Sequence, residues 1–229
     1  MSRPNHLDHL SQELATFKSY LGSELTAPIE HCGDWTLYEL AQHVGRANRW
    51  AAGVVTEGRT DFPTAEAPRE PDRLVAWFGE GSAELLTALA VPPETPAWSF
   101  FPPATVAFWR RRRCFDTLVH RWDAEHALGL DTGIDPALAT DGVAEVFDTM
   151  APFQIARGEA PEPTEAICLV SDTGSSWRFG PGEPLATATA PAADLLLMLW
   201  KRRRPDHPSI TWSGDRASAE RILAEAYTP

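Results

Sequence analysis

Leu7, Leu10, Leu14, Phe17, Leu21 and Leu25 recur at spacings of three and four through an otherwise polar stretch, the period of one buried helical face. This predicts a first helix over 6–25. In the next segment Leu37, Leu40, Val44 and Trp50 repeat the pattern, and Thr36 followed by Glu39 reads as a capping box that starts a second helix over about 36–55. The stretch from Pro63 to Pro71 is rich in proline and charge and reads as a loop. Leu74, Trp77, Phe78, Leu85, Leu86 and Leu89 then mark a third helix. The aromatic, proline-rich segment VPPETPAWSFFPP follows, long enough to serve as a lid or pocket wall. A fourth helical pattern runs over about 105–128 and meets Gly129, a suitable C-cap.

Four long helices in succession predict an antiparallel four-helix bundle. After the linker DTGIDP the pattern changes: a helix over about 136–157 precedes short β-like runs, EAICLV, SSWRFG and LATATA. ADLLLMLWKRR then reads as a helix, SITWSG as a strand and RASAERILAEAY as a closing helix. The expected fold class is α+β, mainly α, with an N-terminal four-helix bundle over 1–130 and a small α+β domain over 135–229.

Composition narrows the function classes. A net charge of −12 disfavours a general nucleic-acid binder, since the phosphate backbone would repel the chain as a whole. Cys32, Cys114 and Cys168 are three cysteines without C-x-x-C spacing, so neither a disulfide framework nor a thiolate zinc site is indicated, and a reducing cytoplasm suits them. The N-terminal MSRPNHLDHLSQEL lacks an apolar signal core, and no apolar run approaches the roughly 18 residues of a membrane span. The expectation is a cytoplasmic chain acting on a small molecule, as a monomer or homodimer, with no nucleic-acid or membrane partner.

The informative segment for chemistry is RCFDTLVHRWDAEHALG. Asp116 and His120 are four apart, one turn above each other on a helix, and can share an ion. Asp123 falls on the same face, where a carboxylate can orient a ligand from behind, whereas His126 points away and reads as a surface residue. His43 sits within the apolar pattern of helix two and could complete the set across the bundle. Two histidines and one carboxylate leave positions open for water or substrate, as in catalytic zinc sites. The same residues have plainer readings: D-x-x-x-H as a solvated i,i+4 pair, and His43 as a hydrogen-bonded core histidine.

At these residues the chain resembles the mycothiol-dependent maleylpyruvate isomerase family, part of the wider DinB-like metal-binding bundle superfamily. The resemblance rests on DWTLYELAQHVGRANRW, on FDTLVHRWDAEHALG, and on ADLLLMLWKRR followed by ITWSGD, and it spans nearly the whole chain. It implies that His43, Asp116 and His120 hold a divalent metal, most simply zinc. Asp116 stands where the family usually has glutamate, one methylene longer. It further implies a pocket for a low-molecular-weight thiol, typically mycothiol in actinobacteria. In the isomerases, addition of the thiol to a conjugated double bond permits rotation and elimination returns the thiol; in related transferases the thiol stays attached to the electrophile.

Two basic runs, Arg110 to Arg113 and Lys201 to Arg204, read as solvated faces paired with carboxylates or as sites of carboxylate or phosphate recognition. Arg202 is the candidate to hold substrate, because the resemblance places a family arginine there, near the pocket. Cys114 lies about 200° around the helix from Asp116 and is expected to be structural. Trp35, Trp50 and Trp122 flank the metal motifs; core packing is the default, with Trp50 as a possible pocket wall. Three functions follow: a metal- and thiol-dependent isomerase or S-transferase acting on a small electrophile that bears a carboxylate; a thiol-independent Lewis-acid cyclase, hydrolase or lyase; and a non-catalytic small-molecule-binding protein on the same fold.

Overall fold

The computed structural model describes residues 4–22, 24–61 and 63–228, so Ser23, within the span expected for helix one, lies outside the described residues. The chain divides into two compact units, Asn5–Thr132 and the stretch from Gly133 onward.

The first unit is the four-helix bundle: α1 (His6–Tyr20), α2 (Leu37–Glu57), α3 (Pro71–Ala88) and α4 (Val106–Ala127). Leu10, Leu14 and Phe17 give α1 its buried face. The helix stops at Tyr20, short of Leu25, because the chain turns back there to cover the start of α2: the Tyr38 N–H donates to the Leu25 carbonyl and the Leu37 N–H to that of Ala27, both at 2.9 Å. The capping box of α2 is formed, with the Glu39 carboxylate accepting from the Thr36 N–H at 3.1 Å and from its hydroxyl. Pro71 occupies the first turn of α3, where its missing N–H costs nothing. At the end of α4, Gly129 adopts φ +67°, and the Gly129 and Leu130 N–H groups donate to the carbonyls of His126 and Glu125, a Schellman closure.

Side-chain contacts fix the helix directions. His6 meets Phe115 and Glu13 meets Arg121, so α1 and α4 run parallel. The Tyr38 hydroxyl donates to the Ala67 carbonyl, and further along Arg49 reaches the Trp77 carbonyl, so α2 and α3 are parallel too. Along α2 and α4 the order reverses: His43 faces His120, Asn48 faces Arg113 and Trp50 faces Trp109. The bundle is therefore up-down-down-up, with antiparallel helices at the α2–α4 seam. The proline-rich loop between α2 and α3 is the long crossover this order requires. The close approach of α2 to α3 depends on Gly45, where a Cβ would lie 2.3 Å from the Trp77 ring.

The second unit carries a four-stranded sheet in the order β2-β1-β3-β4, from β1 (Ala166–Ser171), β2 (Ser176–Phe179), β3 (Pro184–Ala190) and β4 (Thr211–Gly214). β1 pairs antiparallel with β2 and parallel with β3, and β3 pairs antiparallel with β4. The helix expected over 136–157 forms as α5 (Pro136–Glu145), a π-turn (Val146–Met150) and α6 (Ala151–Ala156). Pro152 explains the interruption: it has no N–H to offer Asp148, and the widened turn takes the Ala151 N–H to the Val146 carbonyl instead. Ile167, Phe179, Ala186, Ala219 and Tyr227 form part of this unit's core. α7 (Ala192–Leu199) packs on α5 and β1, and α8 (Arg216–Ala224) on β3. α7 ends before Arg203 because Lys201 takes up φ +61° and the Arg202 N–H donates back to the Leu197 carbonyl at 2.8 Å.

Candidate metal centre

His43, Asp116 and His120 come together at the α2–α4 seam. One donor atom from each lies within 4.8 Å of the other two. The two imidazole rings meet edge to face, with centroids 5.1 Å apart. Donors bound to one zinc-like ion in a tetrahedral site stand roughly 3.4 Å apart, so gathering these three asks for side-chain adjustment of about an ångström rather than helix movement.

Each donor is prepared differently. His43 is solvent-exposed on α2, yet desolvation by its neighbours, with the charge of His120, brings its pKa down to about 4 and leaves it neutral with a lone pair to give. The buried His120 donates its Nδ1–H to the Asp123 carboxylate at 3.0 Å, which leaves Nε2 as the free donor. Burial pushes the Asp116 carboxyl up, but the Arg113 guanidinium, His120 and Arg112 more than offset it and hold it well below the usual carboxylate range. Arg113, buried in the seam, donates to one Asp116 oxygen at 2.7 Å and to the Asn48 side-chain carbonyl at 2.7 Å. Two imidazoles and an ionised carboxylate are a donor set that fits zinc or a similar borderline ion.

A second group shares His120, since donor atoms of Cys32 and Asp123 also fall within 4.8 Å of it and of each other. Its Asp123 oxygen already accepts from the His120 Nδ1–H at 3.0 Å and from the Cys32 thiol at 3.7 Å, an arrangement that turns His120 toward His43 and Asp116.

The other expected site residues are distributed as follows. Trp50 lies about two turns along α2 from His43; it stacks edge-on against Trp98 and Trp109 and donates its indole N–H to the Thr60 carbonyl. The ring beside His43 is Trp35, at 5.0 Å, and with Glu39, Gln42 and Arg46 it lines a cleft of about 270 Å³ that opens on His43. Sequence reasoning missed Trp35 and Arg46 as cleft residues, because only the fold of the 26–35 loop brings the first of them over α2. Arg202 belongs to the second unit, where it donates to the Trp200 carbonyl and lies 6.0 Å over the Trp200 ring. Cys114 is fully buried, in keeping with a structural role.

The first basic run departs from the solvated face expected of it. Arg112 and Arg113 are buried, and Arg110 donates to the Leu89 and Val91 carbonyls at the end of α3. In the second run, Arg203 and Arg204 pair with Asp194 and Asp206.

A four-helix bundle with two imidazoles and a carboxylate gathered on facing helices, followed by a small α+β module, defines a DinB-like bundle protein. The chain belongs to the mycothiol maleylpyruvate isomerase family: residues 7–125 match the mycothiol maleylpyruvate isomerase N-terminal domain and residues 137–221 the matching C-terminal domain. An uncharacterized protein of Mycobacterium tuberculosis is 31% identical over 127 residues, which cover 53% of this chain and 64% of that relative, so the match spans less than two thirds of the relative's length. A second uncharacterized protein of the same organism is 23% identical over 95% of this chain and 91% of its own. The fold is shared with the crystal structure of the mycothiol-dependent maleylpyruvate isomerase at TM-score 0.66 and 16% identity, covering 93% of this chain and 96% of that one. A histidine-to-alanine mutant of that isomerase gives TM-score 0.68. Among the described residues no helix is long and apolar enough to cross a membrane.

Proposed function

We propose that this protein is a metal-dependent enzyme that uses a low-molecular-weight thiol of the mycothiol kind for isomerisation or S-transfer on a small electrophile, with His43, Asp116 and His120 holding the ion. The observation that carries this reading is the convergence of those three side chains from two helices, in a chain of the mycothiol maleylpyruvate isomerase family. A zinc-like ion there would supply acidity that lowers the pKa of a coordinated thiol toward neutrality.

The protein's own groups divide the remaining work. Asp123 fixes the tautomer and orientation of His120 by holding its Nδ1 proton. Arg113 holds one Asp116 oxygen at 2.7 Å and Arg112 lies 3.6 Å from the other, which steadies a carboxylate shorter than the family's glutamate. The cleft beside His43 is near the lower size limit for small-ligand pockets, which suits a compact electrophile. Arg46 on its wall supplies a cation for a substrate carboxylate, and Arg202 is a second candidate for that role by the family resemblance.

Metal analysis of the purified chain, with His43→Ala and His120→Ala beside it, tests the ligand set: both variants should lose the ion. Mycothiol titration followed by tryptophan fluorescence tests the thiol, and no binding at millimolar thiol would remove that half of the proposal. The Arg113–Asp116 pair favours one other reading, since it gives the carboxylate a structural partner without any ion. On that reading the chain binds small molecules without catalysis, and it would keep ligand affinity after metal removal.

A further inference from the structure

The connection between α1 and α2 is a narrow loop closed at its neck. The Ile29 N–H donates to the Trp35 carbonyl at 2.8 Å, and Pro28 and Thr36 form an antiparallel bridge. Near its tip, Glu30 and His31 lie against the last turn of α4. Glu30 Oε2 is 2.7 Å from His126 Nε2, and the His31 and His126 rings lie 5.9 Å apart and only 22° from parallel. Trp122 backs both rings, at 4.9 Å from His126 and 5.9 Å from His31.

We propose that Glu30, His31 and His126 form a second, solvent-facing site for a divalent transition-metal ion of the zinc-to-copper group, separate from the set at His43. Donor atoms of the three residues fall within 4.8 Å of one another. Two imidazoles and one carboxylate select a borderline ion over calcium or magnesium, which take oxygen donors. A simple surface ion pair accounts for Glu30 and His126 but does not itself bring in the second imidazole, whose ring lies 22° from parallel to the first. Each imidazole carries a ring nitrogen that can be given to one cation. Binding replaces the Glu30–His126 hydrogen bond with two bonds to the ion, whose donors stand roughly 3.4 Å apart, so the pair opens by well under an ångström. Water completes the coordination on the exposed side.

Occupancy has a structural consequence. The loop is already tied to α4 by the Cys32–Asp123 contact, and it ends in Trp35, whose ring rests 5.0 Å from His43. An ion joining residues 30 and 31 to residue 126 fastens the tip of that loop and so steadies one wall of the cleft.

Zinc titration of the full-length chain by calorimetry, with His126→Ala and His43→Ala in parallel, separates the two sites. Loss of an outer-shell partner already weakens metal binding about 10- to 100-fold, so loss of a direct ligand in His126→Ala should weaken one binding event by at least about tenfold. That event should persist in His43→Ala. Copper(II) added to His43→Ala should show two coordinated nitrogens by electron paramagnetic resonance, falling to one in a His31→Ala background, and Glu30→Gln should weaken binding without unfolding this exposed surface. The proposal is overturned if His126→Ala binds as the wild type does, or if every ion is lost in His43→Ala. A single ion lost in His126→Ala but kept in His43→Ala would support the outer site and count against the ligand set at His43.

Discussion

Removal of Arg113 should cost the bundle a large share of its stability. It is 5% exposed, and its guanidinium links Asp116 on α4 to Asn48 on α2 through bonds of 2.7 Å each. Arg113→Met keeps most of the volume and the apolar stem, but it takes one of two guanidinium partners from a mostly buried carboxylate and the Arg113 bonds from a fully buried amide oxygen. With Arg112 still 3.6 Å from the other Asp116 oxygen, the loss should fall at or below the ~3–5 kcal/mol that breaking a buried ion pair from one side costs. That is a large share of the roughly 5–15 kcal/mol by which a domain is stable. Urea unfolding of the metal-stripped protein at neutral pH should show the midpoint falling accordingly. A double-mutant cycle with Asp116→Asn should return a coupling of at least about 1 kcal/mol, since the two side chains are in direct contact. Zinc discriminates further: at about 100 times its dissociation constant it should restore about 2.7 kcal/mol to Arg113→Met, by mass action on the folded state. A loss below about 1 kcal/mol, or strict additivity in the cycle, would refute the account of Arg113 as the partner of Asp116.

Gly45→Ala would drive a methyl into the Trp77 ring and should destabilise the first unit by about 1–3 kcal/mol in the same assay. Asp123→Asn should preserve the fold but weaken zinc about 10- to 100-fold in a chelator competition, because His120 loses the acceptor that fixes its orientation. Tyr20 donates to Glu125, and burial together with that bond raises its pKa from 10.0 to about 12. A raised phenol pKa means the folded state holds the proton more tightly. Its stabilisation is therefore complete below pH 10.0 and is lost as the pH climbs toward about 12, a slope that Tyr20→Phe should reduce.

Much of this architecture is readable from local signals. Thr36 with Glu39, and Gly129, each mark a helix end by chemistry that needs no tertiary context, and both occur as read, whereas Pro71, read as the end of a loop, is the first residue of α3. His43, Asp116 and His120 could be singled out because ligand types stand at helical spacing, and they do meet in space. What stayed hidden depends on neighbours distant in sequence. A run of four arginines looks solvated until Asn48 and Asp116 are known to face Arg113. Leu25 keeps the helical period but serves the turn that caps α2. Trp35 and Trp50 flank the same motif equally well, and only the loop from 26 to 35 brings Trp35 to His43. The end of α7 is silent for another reason: a lysine, not a glycine, takes the left-handed position, and L side chains there cost about 1–2 kcal/mol.

Because α2 and α4 run in opposite directions, facing positions obey a simple rule: their numbers add to a nearly constant total, as 43 with 120, 48 with 113 and 50 with 109 make plain. The seam thus works as a numbered ladder whose rungs carry imidazoles at one end, a guanidinium–amide pair in the middle and indoles at the other. Anyone redesigning this protein can choose compensating exchanges in pairs from that ladder, and a relative that alters one rung alone identifies itself as having given up the corresponding contact.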